Sequence, residues 1–301
     1  MNRDFSPPNL DTMPNNALKE ILNYLNIKER SVLRKVNRTL RKAVDNNHTT
    51  VNVALNFWDD SISLNLDGIG IEYSVEDEDK CEIQVGRTSK ILDSDYVETA
   101  MNDLGVHFKN PNTRIKNLKL NWEFSEELFD ILVRILRTFF DELTQNGGSG
   151  FFVENLHIED NDGDNIGQVL TMIDVNTITS LRINCDGAHL RDEEQFLDLL
   201  QWQRVRDFRL IGDVEPPNHI LNALRNVSFF HIDQDNDNME VTFERIFIFI
   251  LTVLNQSDNF EHGQITTRNL DIPAPFINAH LILGNVSVSF KQNRITMEKY
   301  E

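Results

Sequence analysis

A six-residue pattern recurs along the chain and limits the folds open to it. In each copy an aliphatic residue is followed by large apolar residues at the fourth and sixth positions. The copies occupy residues 115–120, 153–158, 178–183, 205–210 and 227–232, and residues 270–272 match in part. Short runs with apolar side chains on alternate positions are typical of β-strands. The ends of the five copies lie 38, 25, 27 and 22 residues apart, which leaves room for a helix in each gap.

The gaps between the copies carry helical periodicity. Ser125 precedes an apolar stripe over residues 128–143, and Gly147 and Gly148 follow it. Serine is a favoured N-cap, and glycine commonly ends a helix. A strand followed by a helix at this spacing is typical of leucine-rich repeats, although the period here is irregular. The sequence therefore predicts an irregular, leucine-rich-repeat-like strand–helix region over residues 91–301.

A different pattern fills the region before these copies, where apolar and polar residues alternate strictly. The alternating runs are residues 51–57, 62–66, 69–73 and 82–85. Asp59-Asp60 and Asp67-Gly68 separate the first three runs, and both pairs are typical of tight turns. We expect an antiparallel β-meander over residues 48–90. The predicted fold class is therefore α+β or α/β.

The pattern of residues 10–47 predicts short helices rather than strands. Pro14 suits the first turn of a helix. Two apolar stripes follow at helical spacing: Leu18, Ile21, Leu22 and Leu25, then Leu33, Val36, Leu40 and Val44. The 38 residues 10–47 cannot bury both stripes among themselves, so one apolar face is left for a partner or for the following domain. Residues 1–9 are expected to form a flexible leader.

The charge distribution excludes some partners. The chain has 29 Lys and Arg against 48 Asp and Glu, for a net charge of −19, yet residues 10–47 alone sum to +4. So acidic a chain disfavours general binding to nucleic acid. The longest apolar run, within residues 246–254, is about half of what a membrane helix needs. Cys81 and Cys185 lie far apart and fit a reducing compartment, so we expect a cytoplasmic or nuclear protein.

No catalytic, metal or cofactor signature is found in the sequence. None of the eight histidines lies in a metal-binding motif. Asp233, Asp235, Asp237 and Glu244 occupy positions 1, 3, 5 and 12 of a calcium-binding loop. However, Asn238 replaces the required glycine, and the preceding segment is patterned as a strand. The interpretation favoured here is an acidic loop without calcium.

Acidic residues follow the ends of the predicted strands. The candidates for a shared acidic rim are Asp160, Asp162, Asp186, Asp213 and Asp235. If the strands stack, these side chains emerge at one edge. One hypothesis is that the rim binds a basic segment of a target protein. The alternative is a solvated acidic surface that only aids solubility.

The N-terminal segment resembles the F-box, a three-helix module. The resemblance is carried by Met13-Pro14, by Leu18, Ile21, Leu22 and Leu25, and by the run Leu33-Arg34-Lys35-Val36-Asn37-Arg38 with Leu40 and Arg41. The remaining chain is similar to the FTH-type domain that follows the F-box in a large nematode family. Its marks are the alternating meander and the Asn-Leu motifs at residues 117–120 and 155–158. The corresponding domains are residues 10–47 and 48–301.

This resemblance implies a substrate receptor of a Skp–cullin–F-box ubiquitin ligase, without catalytic activity or cofactor. The F-box docks on a Skp-type adaptor, and the C-terminal domain binds an unknown target protein. The residues implied in adaptor binding are Met13, Pro14, Leu18, Ile21, Leu22, Leu25, Leu33, Val36 and Leu40. Asn37 and Leu40 depart from the family pattern, which has Cys and an aromatic residue there. Two alternatives remain: a stand-alone repeat-type interaction module whose helical head is a cap, and an enzyme of unrecognised mechanism.

Overall fold

The fold is described from a computed structural model of the 301-residue chain. It describes residues 10, 13–77, 80–122, 126–160, 166–185, 199–212, 227–234, 243–256, 260–267, 272–276, 278–283, 286–291 and 294–299. The leader expected at residues 1–9 lies outside this set.

Three helices open the described chain, as the sequence predicted. They are α1 (Asn15–Tyr24), α2 (Ile27–Val36) and α3 (Arg38–Asp45). Asn26 begins α2 with a capping box, because its side chain accepts from the Glu29 N–H and the Glu29 carboxylate accepts from the Asn26 N–H. Asn37 separates α2 from α3 and caps α3 by accepting from the Leu40 N–H. The second apolar stripe is therefore divided between two helices.

A small apolar core holds these helices together. Leu18 and Leu22 of α1 pack with Leu40 and Val44 of α3, and all four are buried. Four partly buried residues surround this core: Leu10, Leu25, Leu33 and Ala43. Four buried side chains are few for a unit of this size, so most of the module's surface faces solvent or the rest of the chain.

An antiparallel meander follows, again as predicted. Its strands are β1 (Thr49–Trp58), β2 (Ser61–Leu66), β3 (Ile69–Asp77), β4 (Lys80–Val85) and β5 (Thr88–Leu92), and each pairs antiparallel with the next. The two expected turns lie at residues 59–60 and 67–68. β5 was not predicted, because four of its five residues are exposed at the sheet edge and nothing there imposes an alternating pattern.

Helix α4 (Tyr96–Phe108), which the sequence did not reveal, covers one face of the meander. It begins at Asp95, whose side chain accepts from the Glu98 N–H. Ala100 and Leu104 are fully buried in the same apolar cluster as Tyr73. The Tyr73 hydroxyl donates to Asp103 Oδ2 at 2.7 Å, so the buried phenol is satisfied at the helix surface.

A parallel sheet with helical connections makes up the next part of the chain. Its elements are β6 (Thr113–Trp122), α5 (Glu126–Gln145), β7 (Val153–Asp160), α6 (Ile166–Thr171), β8 (Ser180–Cys185), a 3-10 turn (Leu200–Gln203), β9 (Asp207–Gly212), β10 (Phe229–Gln234), α7 (Phe243–Gln256) and β11 (His262–Thr267). Each strand pairs in parallel with the next along the chain. The five complete copies of the six-residue pattern overlap β6 to β10, with the first residue of the last three copies just before the strand, and their apolar positions are buried.

Three further strands complete the sheet at its other end. They are β12 (His280–Leu283), β13 (Val286–Lys291) and β14 (Arg294–Lys299), and they follow a 3-10 turn at Ala274–Phe276. β14 pairs antiparallel with β11. The described strands form one sheet of fourteen in the order β12-β13-β14-β11-β10-β9-β8-β7-β6-β1-β2-β3-β4-β5.

Helix α5 ends where the two glycines predicted its end. The Gly147 N–H donates to the Thr144 carbonyl, and the Gly148 N–H donates to the Leu143 carbonyl, each at 3.0 Å. Gly147 has φ +87°, a conformation that glycine adopts without strain. This is a Schellman ending, and it turns the chain toward β7.

Of the partial sixth copy, Leu270 lies outside the described residues and Ile272 lies outside any strand, while β11 takes the sixth parallel position. The pattern fails in β11 because Gly263 stands where an apolar side chain faces the core in the other strands. The Phe230 ring fills that space, since a Cβ at residue 263 would overlap it. A large residue on one strand thus replaces the missing side chain on its neighbour.

Replacing Gly263 with alanine should lower the free energy of unfolding by about 2 kcal/mol, because the new methyl group overpacks the core against Phe230 and Met297. Urea denaturation monitored by circular dichroism measures the loss. Gly70→Ala is the matched control, since it also changes a strand glycine but has open space around it. Equal unfolding midpoints for the two variants would contradict this account of the packing.

Candidate protein-binding surfaces

The nine residues implied in adaptor binding divide into three groups in the structure. Leu18, Leu22 and Leu40 are buried in the core of the helical module. Met13, Ile21, Leu25 and Leu33 are half-buried, whereas Pro14 and Val36 are exposed. The buried leucines contact one another and leave little surface for a partner. Direct contact with an adaptor is therefore possible mainly for the six half-buried or exposed residues.

Two exposed apolar residues of the module escaped the sequence analysis. Tyr24 of α1 is 86% exposed, and Val32 of α2 is 61% exposed. Val32 and Val36 lie one helical turn apart and share a face of α2. Exposed apolar side chains grouped on a small helical unit are typical of an interaction surface. The available signal was the four-residue spacing of the two valines, which the stronger leucine stripe obscured.

A groove runs between α1 and α3. Its floor is formed by Leu18, Leu22 and Ala43, and the basic side chains of Lys19, Arg38 and Lys42 stand along it. Such a basic rim around an apolar floor complements a partner that is acidic and partly apolar. Three of the eight basic residues in 10–47 thus line this groove.

The helical module is fixed to the sheet by polar contacts. The buried Arg30 of α2 donates to Thr49 Oγ1 at 2.6 Å and to the His48 carbonyl at 3.3 Å. On the other side, Asn112 Nδ2 donates to the Asp45 carbonyl at 3.1 Å. These contacts join α2 and α3 to the beginnings of β1 and β6.

The proposed acidic rim falls largely outside the described residues. Asp160 is the last residue of β7, but Asp162, Asp186, Asp213 and Asp235 are not among the residues that the structure describes. The rim therefore stays a prediction. Asp237, one of the calcium-loop matches, also lies outside. The segment before that loop is strand β10, as the sequence indicated.

The helices and the apolar strand positions form one core, which defines a second, open face of the sheet. Buried residues of α4, α5, α6 and α7 belong to the same apolar cluster as those of the strands. The alternate positions of β6 to β10 point away from this core, and those whose burial is described are half-buried or exposed. On this open face Asn117 donates to Asn52 Oδ1 at 2.5 Å, and Asn155 donates to Asn117 Oδ1 at 3.0 Å. These amides form a ladder across β1, β6 and β7.

A basic row lies next to this ladder. Strand register places Lys119, His157, Arg182, Arg209 and His231 side by side on β6 to β10. We call these five residues the cationic row. Sequence reasoning missed it because its members come from five separate segments and meet only through the strand register.

Carboxylates border the cationic row and neutralise part of it. Lys119 Nζ lies 2.9 Å from Glu159 Oε2, and Arg209 Nε lies 3.5 Å from Asp207 Oδ1. His231 Nε2 lies 3.8 Å from Asp233 Oδ2. Glu159 Oε1 also lies 3.2 Å from Nε2 of His157 in the same row. The face therefore combines ion pairs with less compensated cations.

Both histidines of the row favour their neutral forms. The pKa of His157 is lowered to about 4, mainly by burial and in smaller part by the nearby Arg182 and Lys119, while Glu159 opposes the shift. Burial also lowers the pKa of His231, against the opposing charge of Asp233. At neutral pH the charge of the row therefore comes from its lysine and two arginines.

Comparison with protein-family models identifies two domains. An F-box domain matches residues 10–52, which include the three N-terminal helices. An FTH domain matches residues 134–274, which run from α5 to beyond β11. Comparisons with curated proteins and with solved structures gave no match. The matched intervals therefore contain both the basic groove and four members of the cationic row.

Metal sites and membrane-spanning helices are both absent from the residues that the structure describes. No group of three or more His, Cys, Asp or Glu side chains there is arranged to hold a metal ion. None of the helices in the same set is long and apolar enough to cross a membrane.

Acidification should destabilise the protein through His157. Because its pKa falls from 6.5 in the unfolded chain to about 4 in the folded one, the unfolded state binds protons first as the pH drops. Stability is therefore full above about pH 6.5 and declines toward pH 4, by about 1 to 2 kcal/mol from this residue between pH 7 and 5. Urea unfolding at both pH values measures the difference.

The variant His157→Gln should show a smaller loss between pH 7 and 5, and His48→Gln, at an exposed histidine, should keep the wild-type loss. A residual slope is expected in both, since burial lowers the pKa of His107 as well. An undiminished slope in His157→Gln would show that its burial does not control the acid response.

Proposed function

We propose that this chain, which carries an F-box domain followed by an FTH domain, is the substrate-recognition adaptor of a Skp–cullin–F-box ubiquitin ligase. The F-box binds the Skp-type adaptor, and the C-terminal domain binds the target protein. The protein performs no catalysis itself and needs no cofactor; it works in the cytoplasm or the nucleus. The main support is the match of the N-terminal helices to the F-box, a module generally used for this docking.

The surface of the module supports this role. Its small core leaves Tyr24, Val32 and Val36 largely exposed, and burial of exposed apolar side chains is the main source of affinity in protein association. Among the nine implied residues, we assign direct contact to Met13, Pro14, Ile21, Leu25, Leu33 and Val36. Leu18, Leu22 and Leu40 support the contact by holding α1 and α3 together. The basic rim would orient the module on an acidic adaptor.

The C-terminal domain is suited to hold a target. Its parallel strands follow one another in sequence order, β6 to β11, an order that supports a leucine-rich-repeat-like interpretation even though the helical connections differ in length. Such an arrangement offers a long open sheet face with alternating exposed side chains. We assign target binding to this domain, with the acidic strand ends as one candidate surface.

A second candidate function is a stand-alone interaction module without a ligase role. The observation in its favour is the polar junction, in which Arg30 and Asn112 fix the helices against β1 and β6. A helical unit attached in this way also serves as a structural cap. The two functions differ in the apolar side chains of α1 and α2, because a cap does not require them to be free.

A binding assay with a purified Skp-type adaptor separates the two. Wild-type protein should bind, and Ile21→Asp/Val36→Asp should bind at least about tenfold more weakly, because a carboxylate would be desolvated at each contact. Neither residue belongs to the module's core, so the fold should survive; circular dichroism checks this. Isothermal titration calorimetry gives the dissociation constants.

The matched control is Ile91→Asp/Ile282→Asp, which introduces the same charges at two exposed isoleucines on the opposite edges of the sheet. Its affinity should equal that of wild type. Failure of the folded wild-type protein to bind any Skp-type adaptor would reject the ligase role in favour of the stand-alone module. Equal weakening in both double variants would reject the assigned contact surface.

A further inference from the structure

We infer that the open face of the parallel sheet binds an acidic, extended segment of a partner protein, with Arg182 and Arg209 as the central contacts. The inference rests on the proposed function, because it specifies the chemistry of the target that the C-terminal domain holds. It differs from the acidic-rim hypothesis in the sign of the charge that is recognised.

The geometry of the cationic row suits a short extended chain. Its five members occupy equivalent positions on five adjacent parallel strands, from Lys119 on β6 to His231 on β10. Adjacent strands lie about 4.8 Å apart, so the row spans about 19 Å. An extended peptide crosses that distance with about six residues. Acidic side chains on alternate positions would then meet the arginines from one side.

Of the cationic row, Arg182 and Arg209 carry the positive charges that nearby carboxylates compensate least. Lys119 is held by Glu159 at 2.9 Å. Arg182 forms no ion pair with any described carboxylate; its side chain donates from Nε to Asn184 Oδ1 at 3.3 Å. Arg209 meets Asp207 at the longer distance of 3.5 Å, and its side chain is 53% exposed. A guanidinium presents several donors and binds carboxylate or phosphate in a bidentate manner.

The pairing of two arginines is costly in the free protein. Arg182 lies directly opposite Arg209 on the adjacent strand, and like charges in that relation destabilise a sheet. Solubility does not require them, since the chain has a net charge of −19. Glu159 and Asp233 border other members of the row, and Asp207 reaches Arg209 only at 3.5 Å. An anionic ligand between the arginines would remove their repulsion, which explains the placement as part of a binding site.

A protein segment fits this site better than nucleic acid. Outside residues 10–47 the chain carries far more acidic than basic residues, so a long polyanion is repelled as it approaches. A short segment with a few carboxylates or phosphorylated side chains experiences much less of this repulsion. Both kinds of side chain offer the oxygens that arginine binds. The two sources are distinguished by experiment.

Four fluorescein-labelled probes test the inference by fluorescence anisotropy. They are an octapeptide of alternating Glu and Ser, the same peptide with phosphoserine at the serines, its Gln–Ser counterpart, and an oligothymidine of eight nucleotides. We expect one or both acidic peptides to bind, with affinity that falls as salt rises, and the Gln–Ser peptide not to bind. Arg182→Ala/Arg209→Ala should weaken acidic-peptide binding by about tenfold or more.

The matched control is Arg87→Ala/Lys90→Ala, which removes two exposed basic residues at the far edge of the meander and should leave peptide affinity unchanged. The inference is overturned if neither acidic peptide binds, if the Gln–Ser peptide binds equally, if the arginine variant keeps full affinity, or if oligothymidine is preferred. Adaptor binding is measured on the same preparations. If the wild-type protein binds an acidic peptide but no Skp-type adaptor, the ligase role is rejected and the acidic-segment site is retained.

Discussion

Strand β1 is the element on which the rest of the molecule depends. It pairs antiparallel with β2 and parallel with β6, and therefore joins the meander to the parallel sheet. Its first residue, Thr49, also contacts the N-terminal helices, because its hydroxyl accepts a hydrogen bond from Arg30 of α2. The Thr49 N–H donates to the carbonyl of Asn112, just before β6. Leu55, near its end, is fully buried. The helical module, the meander and the parallel sheet thus all contact β1.

The shared strand has a consequence for the two proposed binding surfaces. The helical module is anchored at the beginning of β1, whereas the cationic row begins on β6, the strand beside it. Pairing of β1 with β6 and the part-buried hydrogen bonds of Arg30 and Asn112 restrain the spatial relation of the two surfaces. For an adaptor, such a relation would hold the bound target at a set position relative to the ligase. A flexible junction would lack this property.

The sequence predicted the strands whose alternating pattern the core imposes, whereas α4 was missed although Ala100 and Leu104 are buried in the same core. The five six-residue copies became β6 to β10 because each buries its apolar positions against helices on one side, as Leu120 and Ile158 do. Two strands without that constraint were also missed. β5 is exposed, and in β11 the space of one side chain is filled by Phe230 from the neighbouring strand. Local pattern cannot reveal an element whose packing is supplied by another part of the chain.

The two candidate sites also differ in how readily the sequence reveals them. They differ in the source of their binding energy as well, which is apolar burial at one and charge at the other. The apolar stripe of α1 was readable because Leu18 and Leu22 lie on one face of a single helix. Arg182 and Arg209 lie on different strands, and only the strand register makes them neighbours. The helical surface would bind by excluding water from apolar groups, a contribution that salt hardly weakens. The cationic row would bind through charge, which salt screens. The two proposed surfaces should therefore respond differently to salt, with binding at the helical surface the less sensitive.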